Sequence, residues 1–257
     1  MRPPLTYYGG KQKLARKIVG LLPPHQIYVE PFAGGAAVLF ARQRKAGRQF
    51  REVLNDRNEK IVNLYRVLQD RTLRGELMER LRFTPYAKSE HARARTLLVS
   101  GSSLEQAWAL VVLCNQSYAS NFRDGSWRFS RGGKHDPKVW GNKIDSIEQV
   151  LTRLDGVYLE NDDALAIIRK WDTENTCFYC DPPYPGADQG PYSGYKQEDF
   201  EELVEALSEC QASFVLSCYE NPAVPDDWPC IDVPVRVWAG DNKRRAVEKL
   251  WIVNRSG

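Results

Sequence analysis

The sequence predicts an α/β protein with a mixed, mostly parallel sheet and an inserted, mainly helical subdomain. Short β-prone runs alternate with amphipathic runs over the first seventy residues, and again after residue 150. Strands that alternate with helices are the pattern of a parallel sheet with right-handed crossovers. Between the two stretches the pattern changes to helices followed by a polar, cationic loop region. The predicted division is therefore 1–69 with 151–257 as one domain and 70–150 as the insert.

The elements follow in order. Residues 11–22 carry Leu14, Ile18, Leu21 and Leu22 at helical spacing, and Pro23-Pro24 stops the helix. HQIYVEPFAGG reads as a buried strand over 27–30 that ends in a glycine turn, then a helix over 36–47 closed by Gly47. A second strand over 52–55 leads to Asp56, and a helix covers 58–68. In the insert, helices are expected over 72–82 and 103–112. A Gly-, Ser- and Asn-rich loop region with Trp127, Phe129 and Trp140 follows. Beyond it come a strand over 157–160, a helix over 164–171, a strand over 177–180, a helix over 197–209 and a strand over 214–217. Two last strands, 231–238 and 247–253, are joined by a polar turn at 240–242 and predict an antiparallel hairpin.

At 42% hydrophobic and 27% charged, the chain of 257 residues can bury a core and is not of disordered composition. No apolar run reaches the ~18 residues needed to span a bilayer, and the N-terminal stretch has no apolar signal region. The expectation is a cytoplasmic monomer, without a membrane. A net charge of +3 is too small for binding nucleic acid by charge alone. The cations are uneven, however. Residues 122–143 hold Arg123, Arg128, Arg131, Lys134, Lys138 and Lys143 against Asp124 and Asp136, enough for one cationic face. Among six cysteines only Cys177 and Cys180 form a CxxC, no second pair completes a tetrahedral site, and the three histidines are isolated, so no metal is expected.

Chemistry concentrates at Asp181-Pro182-Pro183-Tyr184, directly after a predicted buried strand. Ligands of open α/β sheets sit at the carboxyl ends of strands. An exocyclic amine on a purine is a poor nucleophile because its lone pair is delocalised into the ring. Two acceptors on its hydrogens, the Asp181 carboxylate and the Pro182 carbonyl, would pull the nitrogen towards a tetrahedral form. Consecutive prolines stiffen that carbonyl, and Tyr184 offers a face on which an extruded base can stack. The bland alternative is a strand-ending Pro-Pro turn with a capping aspartate. The segment Glu30-Pro31-Phe32-Ala33-Gly34-Gly35 puts glycines where a ligand can approach the backbone. An acid at the end of the next strand, Asp56, suits ribose hydroxyls. A structural turn and helix cap would explain the same residues. Tyr7-Tyr8-Gly9-Gly10-Lys11 could pack against a cofactor or simply begin a solvated helix, and Asp162-Asp163 could cap a helix or face a ligand.

In this order, YYGGK at 7–11, EPFAGG at 30–35, LNDRNEKIVNLYRVL at 54–68 and FYCDPPY at 178–184 resemble the Dam-like, class-alpha DNA N6-adenine methyltransferases, above all the compact phage and prophage members. The similarity extends to RRAVEKLWIVN near the C-terminus. The resemblance implies a Rossmann-like, S-adenosylmethionine-dependent fold with residues 70–150 as target-recognition region. It implies direct methyl transfer to adenine N6 of a base flipped from double-stranded DNA, in the setting of restriction and modification. It places Tyr7, Lys11, Glu30, Phe32, Ala33, Gly34, Asp56, Asp163 and Asp181 at the cofactor, with the register between Asp162 and Asp163 open. Asp181, Pro182 and Tyr184 are catalytic on this reading. Asn115, Gln116, Ser117, Asn121, Arg123, Arg128, Arg131 and Lys134 are the candidates for DNA contact. Methylation of RNA or of cytosine N4, an idle DNA-binding module of the same fold, and a dinucleotide-dependent oxidoreductase are the alternatives. The absence of GxGxxG opposes the last.

Overall fold

The computed structural model describes residues 1, 3–5, 10–123, 125–131, 136–186, 194–239 and 242–255. In chain order the elements are α1 (Ala15–Leu21), β1 (Ile27–Glu30), α2 (Ala37–Ala41), β2 (Arg51–Asn55), α3 (Glu59–Gln69), α4 (Arg71–Arg82), α5 (Lys88–Ser100), α6 (Ser103–Gln116), α7 (Asp136–Glu148), β3 (Tyr158–Glu160), α8 (Ala164–Trp171), β4 (Thr176–Cys180), α9 (Gln197–Glu209), β5 (Ser213–Cys218), β6 (Cys230–Ala239) and β7 (Asn242–Val253). They fall into two compact units. The first is Met1–Arg16, Gly34–Arg44 and Asp56–Asn161; the second is Lys17–Ala33, Lys45–Asn55 and Asp162–Gly257.

In the second unit the strands run in the order β2-β1-β4-β5-β7-β6. β2, β1, β4 and β5 are parallel, and β7 joins β5 antiparallel. β6 and β7 form the expected closing hairpin, paired from Cys230↔Trp251 to Ala239↔Asn242. The sheet is thus mixed and mostly parallel, as the sequence predicts. TCFYC and SFVLSC are buried along their whole length, as parallel strands covered on both faces must be. Val29, Val53, Phe178, Phe214 and Leu216 meet Ile167 and Ile168 of α8 and Phe200, Leu203 and Leu207 of α9 in one apolar core. Strand order turns between β1 and β4, so the carboxyl ends of these two neighbours form the topological switch point, the usual ligand position in such sheets.

The first unit is mainly helical. α6 is its centre, with Ala107 to Cys114 all buried and packed on α3, α4 and α5. Ser102 and Glu105 close a capping box at its start. Trp108 Nε1 donates to Thr84 Oγ1 at 2.7 Å, and the Arg80 guanidinium lies 4.7 Å from the Trp108 ring. Residues 70–150 lie wholly in this unit, which also takes in α2, α3 and the N-terminal residues.

Three local expectations change. The helix expected over 36–47 is only α2, because Ala37 to Phe40 fill the buried face and, past buried Arg42, the polar run 43–49 is exposed. α5 escapes a reading by periodicity, since Leu98 is the one large apolar residue in its buried stripe of His91, Ala94 and Leu98. Much of the region read as a loop after α6 is α7, seated by Trp140, Ile144 and Ile147 at helical spacing.

Candidate active site

At the switch point the site grows from strand register. β4 ends at Cys180, opposite Leu216, so the next residues, Asp181 and Ser217, fall side by side. Ser217 pairs with Leu250 across β5 and β7, and Glu248, two residues away, shares that face. The side chains meet accordingly. The Tyr184 hydroxyl lies 3.0 Å from Asp181 Oδ1, 3.0 Å from Ser217 Oγ and 3.3 Å from Glu248 Oε1. Ser217 Oγ donates to Glu248 Oε1 at 2.6 Å. Tyr184 packs edge-on against Tyr219, centroids 4.8 Å apart. Burial first, then the charges of Asp181 and Glu248, push the Tyr184 phenol well above its ordinary range, so it keeps its proton. Tyr179 on β4 is raised for the same leading cause, with Asp181, Glu248 and Glu30 adding to it. Asp181 and Tyr184 are half-buried, and Pro182 is buried.

Beside them, at the end of β1, Glu30 is 1% exposed and accepts the Tyr28 hydroxyl at 2.8 Å. Phe32 meets the Tyr195 ring edge to face at 6.3 Å. The loops around this edge are fastened by Asn55, the last residue of β2. Its Nδ2 donates to the carbonyls of Pro31 (2.9 Å) and Asp162 (3.0 Å), and its Oδ1 accepts the Asp162 amide at 2.9 Å. Its own carbonyl accepts the Ala33 amide at 2.8 Å. Asp163 Oδ1 caps α8 through the Leu165 amide at 2.9 Å, and Asp162 Oδ1 takes the Asp163 amide, so both acids have local work.

In the first unit the glycine turn is held from both sides. Gly34 adopts φ 46, open to glycine at no steric cost, and Ala36 adopts φ 51. The Gly34 amide donates to Asp56 Oδ2 at 2.8 Å, and the Tyr65 hydroxyl donates to the Gly34 carbonyl at 2.7 Å. Asp56 Oδ1 accepts the Asn58 amide at 2.8 Å. Burial pushes the Asp56 carboxyl up to about 6, against the two amides that favour its charged form. Lys11 is buried, and its carbonyl receives the Leu14 and Ala15 amides.

The cationic segment is a braced loop. Tyr118 N donates to Ser126 O, Gly125 N to Asn121 O and Arg128 N to Gln116 O. A Cβ on Gly125 would come within 2.3 Å of the Asn121 carbonyl, so the turn requires glycine. Arg123 and Arg131 are exposed and Asn121 half-exposed. Arg128 is held inward, on the Asn115 carbonyl at 3.1 Å and 3.6 Å from Asp136. Asn115 bonds back to the Val111 carbonyl. Two candidates are corrected. Gln116 and Ser117 have no exposed surface; Ser117 faces His91 at 2.8 Å and Gln116 donates to the Pro85 carbonyl. At the end of α6 both side chains turn inward among buried groups.

Tyr7 and Lys134 lie outside the described residues. Among the described residues no cluster of His, Cys, Asp and Glu could hold a metal ion, and no helix is long and apolar enough to cross a membrane. Sequence reasoning missed Ser217, Glu248, Asn55 and Tyr65. The one available signal was an acid within the apolar run AVEKLWIV.

A family model described as D12 class N6 adenine-specific DNA methyltransferase matches residues 7–232. The modification methylase StsI of Streptococcus sanguinis is 26% identical over 197 residues, an alignment covering 72% of this chain and 29% of that protein. The chain therefore spans under a third of that relative's length. Among solved structures, the rRNA methyltransferase aviRa from Streptomyces viridochromogenes aligns over 95% of this chain and 85% of its own, at 11% identity, with TM-scores of 0.38 for a 1.5 Å structure and 0.34 for a 2.4 Å structure.

Proposed function

We propose, for a chain that belongs to the D12 class of N6 adenine-specific DNA methyltransferases, that it methylates adenine N6 in double-stranded DNA with S-adenosylmethionine as donor. The observation that carries this is the placement of Asp181. A half-buried carboxylate stands at the carboxyl end of a central parallel strand, at the switch point, followed by two prolines and a tyrosine fixed by hydrogen bonds.

Asp181 accepts one N–H of the amine and the Pro182 carbonyl accepts the other, which localises the nitrogen lone pair. Once the new N–C bond has formed, Asp181 takes the proton that the nitrogen sheds. Tyr184 presents its ring to the extruded base. The donor, when bound, supplies a methyl group on a sulfonium, a good leaving group. Most of what the chain contributes is therefore position.

The residues present suit that donor. Asp56 gives one acceptor site of each oxygen to a backbone amide, and each oxygen has a second for a ribose hydroxyl. Glu30, Phe32, Ala33, Gly34, Asp163 and Asp181, with Tyr7 and Lys11, complete the assignment. Residues 70–150 serve as the target-recognition region. Exposed Arg123 and Arg131 hold phosphate, with Asn121 and the less exposed Asn115 and Arg128 beside them. The chain acts as a cytoplasmic, restriction-modification type enzyme.

The test uses the purified chain with methyl-labelled donor and duplex DNA, single-stranded RNA as comparison, and nucleoside mass spectrometry. Label in N6-methyldeoxyadenosine supports the reading. Label in N4-methylcytosine or only in RNA overturns it. S-adenosylhomocysteine raises the melting temperature and NAD does not.

A further inference from the structure

Four side-chain oxygens meet at the carboxyl ends of β4 and β5, beside the middle of β7, with more contacts among themselves than hydroxyl protons. Tyr184 and Ser217 bring one hydroxyl proton each. Asp181 and Glu248, as carboxylates, bring only acceptors. The 2.6 Å contact between Ser217 and Glu248 takes the serine proton. The tyrosine proton then has two destinations at the same distance, Asp181 Oδ1 and Ser217 Oγ, each 3.0 Å away, and a longer one, Glu248 Oε1 itself, at 3.3 Å. In one setting Tyr184 donates to Asp181. In the other Tyr184 donates to Ser217, which donates to Glu248, a chain in which each bond polarises the next. Changing from one to the other needs only a turn of the O–H bond, with no heavy atom moved. Among the described residues Tyr179, whose hydroxyl faces Ser217, and Glu30 also stand in the field of this cluster.

We propose that Glu248, acting through Ser217, draws the Tyr184 proton off Asp181 when a substrate amine arrives, and so frees the carboxylate to accept from that amine. Glu248 is a positioning residue on this account. It acts on Asp181 through the two hydroxyls, and no covalent bond changes. An Asp181 oxygen that already accepts the phenol is a poorer acceptor for the amine. The Ser217–Glu248 pair gives the phenol somewhere else to donate, and Glu248 is 6% exposed. The purpose of the switch rests on the reading of Asp181 as the amine acceptor; the switch itself rests only on the geometry.

The test is a double-mutant cycle of Glu248→Gln with Tyr184→Phe, read two ways. In steady-state methylation, Glu248→Gln keeps the side-chain shape and lowers kcat about tenfold, with KM for DNA and for the donor unchanged. In the Tyr184→Phe background the same change has no further effect, because no phenol proton is left to move. The second readout needs no substrate. NMR of isotope-labelled aspartate follows the Asp181 carboxyl titration, which Glu248→Gln moves downward as the phenol settles on Asp181. In the Tyr184→Phe background the movement is smaller. Ser217→Ala removes the relay and leaves only the longer Tyr184–Glu248 contact, so it repeats both effects in weaker form should Glu248→Gln fold poorly, and melting curves identify such a failure. Additive losses in the cycle, or a titration shift indifferent to Tyr184, overturn the proposal while leaving the adenine reading in place. A chain that methylates nothing yet shows the coupled titration overturns the adenine reading and leaves the switch standing.

Discussion

Replacing Asn55 by aspartate changes one atom and tests how the loops at the strand ends are held. Asn55 is 1% exposed and its Nδ2 donates to two carbonyls, of Pro31 and Asp162. The carboxylate of Asn55→Asp keeps an acceptor for the Asp162 amide, but turns an oxygen towards both carbonyls. Two donated bonds disappear and two buried carbonyls lose their partner, a loss of about 2–4 kcal/mol. For a chain of this size that lowers Tm by roughly 5–15 °C. The new carboxyl is raised by burial and by the carbonyls, so folding takes up a proton between its unfolded and folded pKa values. The variant's stability relative to the native chain is therefore greatest at acid pH, where a protonated carboxyl donates one bond again. It falls as pH rises through the folded pKa. Thermal denaturation from pH 5 to 8 reads this directly. Asn55→Ala, with no charge, gives a gap that does not change with pH. An Asn55→Asp chain as stable as the native one at pH 8, or a gap flat with pH, refutes the reasoning.

The remaining predictions concern the proposed cofactor and DNA residues. With Asp56 pushed up to about 6, a hydroxyl donated by bound ligand favours its ionised form, so binding releases a proton. Affinity for S-adenosylhomocysteine is then full above pH 6 and falls as pH drops through it, by at most about tenfold per unit, and calorimetry on Asp56→Asn shows a flat profile. Tyr65→Phe removes the bond to the Gly34 carbonyl and lowers stability by about 1 kcal/mol, measured by urea denaturation, with a matching loss of ligand affinity. Ser117→Ala lowers stability by about 1–2 kcal/mol through the buried His91 contact and leaves DNA affinity unchanged. Arg123→Ala does the opposite, weakening DNA binding and reducing its salt dependence by about one phosphate contact in a filter-binding titration.

The strands of the sheet were legible because buried parallel strands are short apolar runs with acids or glycines at their ends, and 27–30, 177–180 and 214–217 are such runs. DPPY was legible for the same reason, since its place follows from the strand before it. The helices of the first unit were less so. α5 buries His91 and Ala94, residues that carry no apolar signal, and α7 begins within a stretch rich in turn residues. Glu248 and Ser217 could not be joined to Asp181 from sequence, because their meeting depends on the register of β4 with β5 and of β5 with β7. Gln116 and Ser117 read as outward polar residues because their types are those of DNA contacts. Which way α6 turns them is decided by tertiary packing on His91 and Pro85.

The central claim, adenine methylation through Asp181, is tested most directly in cells. The chain and its Asp181→Ala variant are expressed in a bacterial strain without adenine methylation, and the digested DNA is analysed by mass spectrometry. The account predicts N6-methyladenine with the native chain and none with the variant, both folded and both binding S-adenosylhomocysteine. Folded, ligand-binding native chain that leaves the DNA without N6-methyladenine, or a variant that still makes it, contradicts the account.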